Sequence, residues 1–298
     1  MRTKRFFRQA GGFALAALLV FSANAQAAAC RNPNLDVVVL GSGGPELDDN
    51  RASVGYLMRE NGRAAVLVDF GSGTSLNFER SGAKIEDLQA VLLSQFHVDH
   101  VNDFPALVKG AFFTRRNRDL PVYGPSGNRI VPALPQYLAR LIGNKGAYAY
   151  LSGFLDGGES FRLKPVTVGG FRISAVPVTH SIIPALGWRV EKDGCAVVFS
   201  SGTSNMGRTL DKIAADADLL VAHNAIPEGS TDRVALKLHM MPSEIGRIAA
   251  AAHAKSVVLS HFMNRTENVM WETAAAIGSR YKGKLNFARD CDIYAVHS

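Results

Sequence analysis

Two halves of this chain repeat one local plan: a strongly apolar run, a glycine-bearing exit, a helix-like stretch, then a second apolar run. In the first half "LDVVVLGSGGPE" (35–46) and "AAVLVDFGSG" (64–73) lead, through "SLNFERSGAKIEDLQA", into "AVLLSQFHVDH" (90–100). In the second half "CAVVFSSGTS" (195–204) and "SVVLSHFMN" (256–264) echo those runs. Short continuous apolar runs bounded by turn residues suit buried strands. Strand, turn, helix and strand in succession build an α/β layer. Two such half-sheets packed face to face, helices outside, would bring their strand ends to one rim, where α/β proteins place clefts. "NG" at 61–62, between two strand-like runs, marks a hairpin. The stretch from about 104 to 165 is less regular. It offers helices in "PALVKGAFF" and "IVPALPQYLARLIG" and a short strand in "LPVYGPSG". No linker rich in Pro, Gly or Ser divides residues 28–298, and 47% hydrophobic residues suffice for one large core.

Residues 1–27 read as a cleavable signal peptide. Arg2, Lys4, Arg5 and Arg8 precede the apolar "GGFALAALLVF", and "AQA" (25–27) supplies small residues for cleavage. The apolar run is shorter than the roughly 20 residues a membrane-spanning helix needs. The mature chain is therefore expected in the periplasm or outside the cell, without a transmembrane segment. Subtracting the leader's four basic residues from the net charge of +7 leaves +3. That modest excess, with "TRRNR" (114–118) its one cluster, argues against nucleic acid as a partner. Of Cys30, Cys195 and Cys291, the pair at the two ends of the mature chain, Cys30 and Cys291, is the expected disulfide, stapling the termini. Cys195, opening "CAVVFS", reads as a small buried residue.

The candidate site lies at the strand exits. Gln95 and His97 are two apart, so on a continuing strand both would face one point, while Asp99 and His100 lie beyond. His180 follows "ISAVPVT" and His261 follows "VVLS". Imidazoles and a carboxylate at successive strand exits are the donors zinc takes. "GSGGPE" lacks the lysine of a phosphate-binding loop and reads as a tight turn. Trp188 reads as core; His223, His253 and His297 read as ordinary core or surface histidines.

The ordered set "VLGSGGPE", "LVDFGSG", "QFHVDH", "LPVYGPSG", "VTHSIIPALGWRV" and "LSHF" resembles the metallo-β-lactamase-fold hydrolases, in the branch holding ribonuclease Z and the arylsulfatase-like enzymes. The resemblance implies a four-layer αβ/βα sandwich of two mixed β-sheets with helices outside, in a family that is often dimeric. It places His97 and His180 in a first zinc site, and Asp99, His100 and His261 in a second. Asp69 matches a buried aspartate that orders the ligand loop. His239 matches the histidine supported by a glutamate that assists proton transfer. Three positions depart from the family pattern. Gln95 replaces the first histidine of H-x-H-x-D-H, Thr203 replaces a bridging aspartate, and Asn224 replaces a glutamate that supports the histidine matched by His239.

A glutamine amide is a poorer zinc donor than imidazole, and without the bridge two dications ~4 Å apart would repel with little to screen them. The expectation is one zinc of the second-site type, with Asp99, His97 and His239 as the catalytic candidates. Two readings stay open. One is an exported zinc-dependent hydrolase of a small ester, lactone, sulfate or phosphodiester; the other is a non-catalytic binding protein on the same fold.

Overall fold

The computed structural model describes residues 29–155, 159–160 and 164–296; residues 1–27, read from the sequence as a signal peptide, and His297 lie outside the described residues. Strands are numbered along the chain. One sheet contains β1 (Leu35–Gly41), β2 (Gly55–Glu60), β3 (Arg63–Phe70), β4 (Ala90–Leu92), β5 (Val122–Gly124), β6 (Glu159–Ser160) and β14 (Ile293–Ala295), in the order β14-β1-β2-β3-β4-β5-β6. The other contains β7 (Val166–Val168), β8 (Phe171–Val178), β9 (Ala185–Lys192), β10 (Cys195–Phe199), β11 (Leu219–His223), β12 (Ser256–Ser260) and β13 (Lys284–Phe287), in the order β13-β12-β11-β10-β9-β8-β7. Both sheets are mixed. β1, β2 and β3 pair antiparallel and β3, β4 and β5 parallel, while β8, β9 and β10 pair antiparallel and β10, β11 and β12 parallel.

Side-chain alternation explains the layering. In β1, Val37 and Val39 enter the core between the sheets, whereas Val38 and Leu40 join an outer core. In β10, Val197 and Phe199 face inward and Val198 faces out, as the period of two requires. The central core sets Tyr56, Val66 and Leu92 against Phe171, Trp188 and Val221. Trp188 is fully buried there, as the sequence suggests. Outside the first sheet lie α1 (Thr74–Arg80), α2 (Val98–Val101), α3 (Phe104–Ala111) and α4 (Leu134–Ile142), contributing Phe78, Val101, Phe104 and Leu138 to one outer core. Outside the second lie α5 (Thr209–Ile213), α6 (Pro242–Ala251), α7 (Asn264–Glu267) and α8 (Met270–Gly278); α5, α6 and α8 contribute Leu210, Ile248 and Ile277 to the other. Both faces of each sheet are covered, which is why its strands read as unbroken apolar runs. The result is the expected four-layer sandwich.

The hairpin signal holds: Asn61 and Gly62 both take positive φ, at 53° and 73°, between β2 and β3. The disulfide expectation does not. Cys30 bonds Cys195, and Cys291 is free and exposed. The chain before β1 crosses the β9–β10 turn, where Arg31 N–H donates to the Asp193 carbonyl at 3.1 Å and Asn32 Nδ2 reaches the Asp193 carboxylate at 3.1 Å. That crossing lays Cys30 beside the start of β10. Cys291 instead follows β13, its N–H donating to the Val39 carbonyl at 2.7 Å. The staple therefore ties the N-terminus to the second sheet rather than to the C-terminus.

Candidate metal centre

Strand exits from both sheets deliver the site. His97, Asp99 and His100 follow β4, His180 follows β8, Thr203 follows β10, His223 ends β11 and His261 follows β12. β11 and β12 run in register with His223 opposite Ser260, so His223 and His261 emerge side by side. His239 comes from the turn that leads into α6. Rings follow one another around the rim, His97–His180–His239–His261–His223–His100, with centroids 4.5–5.6 Å apart.

Asp69 organises the loop after β4. Its Oδ1 accepts the Ser94 N–H at 2.6 Å, and its Oδ2 lies 2.8 Å from His100 Nδ1. Nδ1 thus engaged, His100 turns Nε2 into the site, the arrangement that orients metal-ligating histidines. Asp99 Oδ2 lies 3.3 Å from His261 Nε2 and 3.6 Å from His100 Nε2. All three second-site candidates therefore converge. The glycine turn after β1 packs against them: a Cβ on Gly44 would sit 3.0 Å from the His261 ring.

The first-site candidates do not form a comparable set. Regular strand geometry ends at Leu92, so Gln95 and His97 do not face one point. Gln95 turns back to place Nε2 2.7 Å from His100 Nε2, while His97 Nδ1 lies 3.4 Å from His180 Nε2. His180 Nδ1–H donates to the Leu238 carbonyl at 2.9 Å, with Gly202 close beneath the ring, where a Cβ would fall 2.5 Å from His180 Cε1. Thr203 Oγ1 accepts the Asn205 N–H at 2.9 Å and serves its own turn. Asn224 is fully buried, and neither its Oδ1 nor its Nδ2 has a partner; His239 Nδ1 is likewise unpartnered.

The residue that the sequence left unassigned is His223. It is buried, and its donor atom lies with those of His100 and His261 inside a cluster whose members are all within 4.8 Å of one another. Among the described residues this is the group of three that could hold a metal ion. The signal was present in "LLVAH", an apolar run ending in histidine like those that end at His100, His180 and His261. His253, by contrast, lies at the surface beside Asp216, far from a ligand role.

Electrostatics favour a cation here. Burial opposes ionisation of Asp99, but the imidazoles of His100, His261 and His97 overcome it and hold the carboxyl far below its usual range. Burial pushes His180 down to about 3, against the Leu238 hydrogen bond. It also lowers His97 and drives His223 and His239 well below the ordinary imidazole value. These rings are neutral at pH 7, the form that ligates metal. For His100 burial is outweighed by the carboxylates of Asp69 and Asp99, so its pKa is raised. Buried polar atoms ordinarily find partners, yet His223 Nδ1, His239 Nδ1 and His261 Nδ1 have none. Imidazoles with one carboxylate are donors that fit zinc.

The model of the β-lactamase superfamily domain matches residues 50–262. A ribonuclease Z of Mycobacterium sp. (strain KMS) is 30% identical over 246 residues, 77% of this chain and 84% of that protein. Among solved structures, the metallo-β-lactamase-fold protein YhfI from Bacillus subtilis superposes with a TM-score of 0.71 at 24% identity, over 87% of this chain and 99% of its own. Zn2+-bound PqqB from Methylobacterium extorquens superposes at 0.64 and 16% identity, over 87% and 99%. With two face-to-face mixed sheets and a histidine-rich rim of this kind, the chain belongs to the β-lactamase superfamily, in the metallo-β-lactamase-fold branch related to ribonuclease Z.

Proposed function

We propose that this protein is an exported, metal-dependent hydrolase that uses one zinc ion to cleave a small ester, lactone, sulfate or phosphodiester. The observation that carries this reading is the convergence of Asp99, His100 and His261, with Asp99 Oδ2 3.3 Å from His261 Nε2 and 3.6 Å from His100 Nε2. Zinc, when bound, supplies Lewis acidity, lowering the pKa of water to about 7 and polarising the scissile group. The chain's own residues do the rest. Asp69 fixes the His100 ring through Nδ1. Asp99, ionised, contributes the negative charge the cation needs. His97 is neutral and less deeply buried than its neighbours, suited to accept the proton of the attacking water. His239, between the His180 and His261 rings, hydrogen-bonds the departing oxygen.

A disulfide at Cys30–Cys195 supports the exported location, since such bonds persist in oxidising compartments. The relatives' name is that of a ribonuclease, which makes a phosphodiester the first bond to try. A small substrate is preferred because the mature charge is modest and the leader directs the chain away from RNA. The test is a panel of p-nitrophenyl esters, sulfate and phosphodiesters with RNA alongside, assayed with and without chelator. Zinc-dependent turnover of one small substrate, abolished by Asp99→Ala, is the expected result. Turnover of RNA alone would overturn the substrate class, and no turnover by a zinc-loaded protein would favour the binding-protein reading. That second reading draws on Thr203, whose hydroxyl is spent on Asn205 where a bridging carboxylate is expected.

A further inference from the structure

Loss of the bridging aspartate leaves the second-site donors short, and the structure indicates what replaced it. Thr203 cannot serve: its Oγ1 already accepts the Asn205 N–H, and a hydroxyl is a weak donor in any case. Gln95 faces His100 with its amide nitrogen, which has no lone pair to give. His223 has the opposite character. Its ring lies 4.5 Å from that of His261 and 5.6 Å from that of His100. It is held at the end of β11 by the backbone, its N–H donating to Ser200 Oγ at 3.1 Å. Its Nδ1 is buried and unpartnered, whereas a histidine kept only for packing would have its ring nitrogens satisfied.

We infer that His223 is a direct metal ligand that has taken over from the lost bridging carboxylate, making a one-metal centre of His100, His223 and His261 with the Asp99 carboxylate beside it and the fourth position open. The inference rests on the metal-dependent reading above. Ligand nitrogens at ~2.0–2.1 Å from a tetrahedral ion lie ~3.3 Å apart, so the three imidazole donors, within 4.8 Å of one another now, close by about 1.5 Å at most. Replacing a carboxylate by a neutral ring also changes the charge. One dication with Asp99 alone keeps a net positive centre, which suits an anionic substrate better than a neutralised one. A bridging carboxylate is needed to hold two dications together; a terminal imidazole serves one.

The test reads coordination rather than catalysis. Zinc affinity is measured by chelator competition for wild type, His223→Ala and the control His97→Ala, and His223→Cys is loaded with Co2+. One metal per wild-type chain is expected, with affinity at least ~100-fold weaker in His223→Ala, beyond the 10–100-fold effect of a supporting contact. His97→Ala is expected to change affinity far less. His223→Cys should bind Co2+ and show a thiolate-to-cobalt charge-transfer band that wild type lacks, direct evidence that position 223 touches the metal. The inference is overturned if wild type binds one metal, His223→Ala binds it equally well and the cysteine variant shows no band; the hydrolase reading would survive that result. Absence of metal binding by wild type would overturn both.

Discussion

Gln95 should act against the metal. Its Nε2 lies 2.7 Å from His100 Nε2, the nitrogen that faces the site because Nδ1 is engaged by Asp69. Both side chains are essentially fully buried, so water does not compete for this bond. A metal ligated by His100 Nε2 must displace the amide, which means that the bond stabilises only the metal-free protein. In Gln95→Leu the metal-free state has a buried acceptor left unmade, at a cost of roughly 1–3 kcal/mol. The metal-bound state loses little, having already given the bond up. Closing the cycle, zinc affinity should rise by the same 1–3 kcal/mol, roughly 5- to 150-fold. The metal-free melting temperature should fall by roughly 2–12 °C, using about 2–4 °C per kcal/mol for a chain of this size class. Chelator competition and thermal melts, each with and without zinc, read both arms. A loss of zinc affinity in Gln95→Leu would refute the reasoning, because it would mean that Gln95 supports the metal rather than blocking its ligand.

Acid should destabilise the metal-free protein from about pH 6.5 downward. His180, His223 and His239 are buried neutral, with folded pKa values below that of the unfolded chain, so unfolding takes up protons as pH falls. Each contributes up to about 1.4 kcal/mol per pH unit, or about 4 together. His100 acts in the other sense: its raised pKa stabilises fully below about 6.5, and that contribution is lost as pH rises through the folded value. A melting temperature in chelator that stays flat between pH 7 and 5 would contradict this. Asp69→Asn should weaken zinc binding 10–100-fold by releasing His100 Nδ1 and the Ser94 N–H, as titration with a competing chelator would show. Cys30→Ser, or reduction, should destabilise by up to ~5 kcal/mol, since the bond closes a span of 165 residues, whereas Cys291→Ser should leave the thermal midpoint unchanged.

The sandwich was legible because its physics is local. Runs such as "VVVL" and "AVVF" are apolar on both faces because each sheet is covered on both sides, and Asn61-Gly62 carries its own turn conformation. Asp99, His100 and His261 were legible for a related reason, each standing where an apolar run ends. What escaped depends on tertiary crossings. Cys30 pairs with Cys195 only because the chain before β1 crosses the β9–β10 turn, and separation along the sequence carries no trace of that. Gln95 turns to His100 because the strand stops at Leu92 and Asp69 reaches up to hold Ser94, so strand alternation misplaces it. His223 was discounted as a single histidine, although its place at the end of β11, in register with β12, is what sets it beside His261.

The most direct test of the account is the zinc content of the protein, purified without chelator, for wild type and His261→Ala. One zinc per chain in wild type, lost in the variant while the fold is retained by circular dichroism, is the predicted result. Wild-type protein that takes up no zinc even when it is supplied would contradict the metal centre, and with it the hydrolase built upon it.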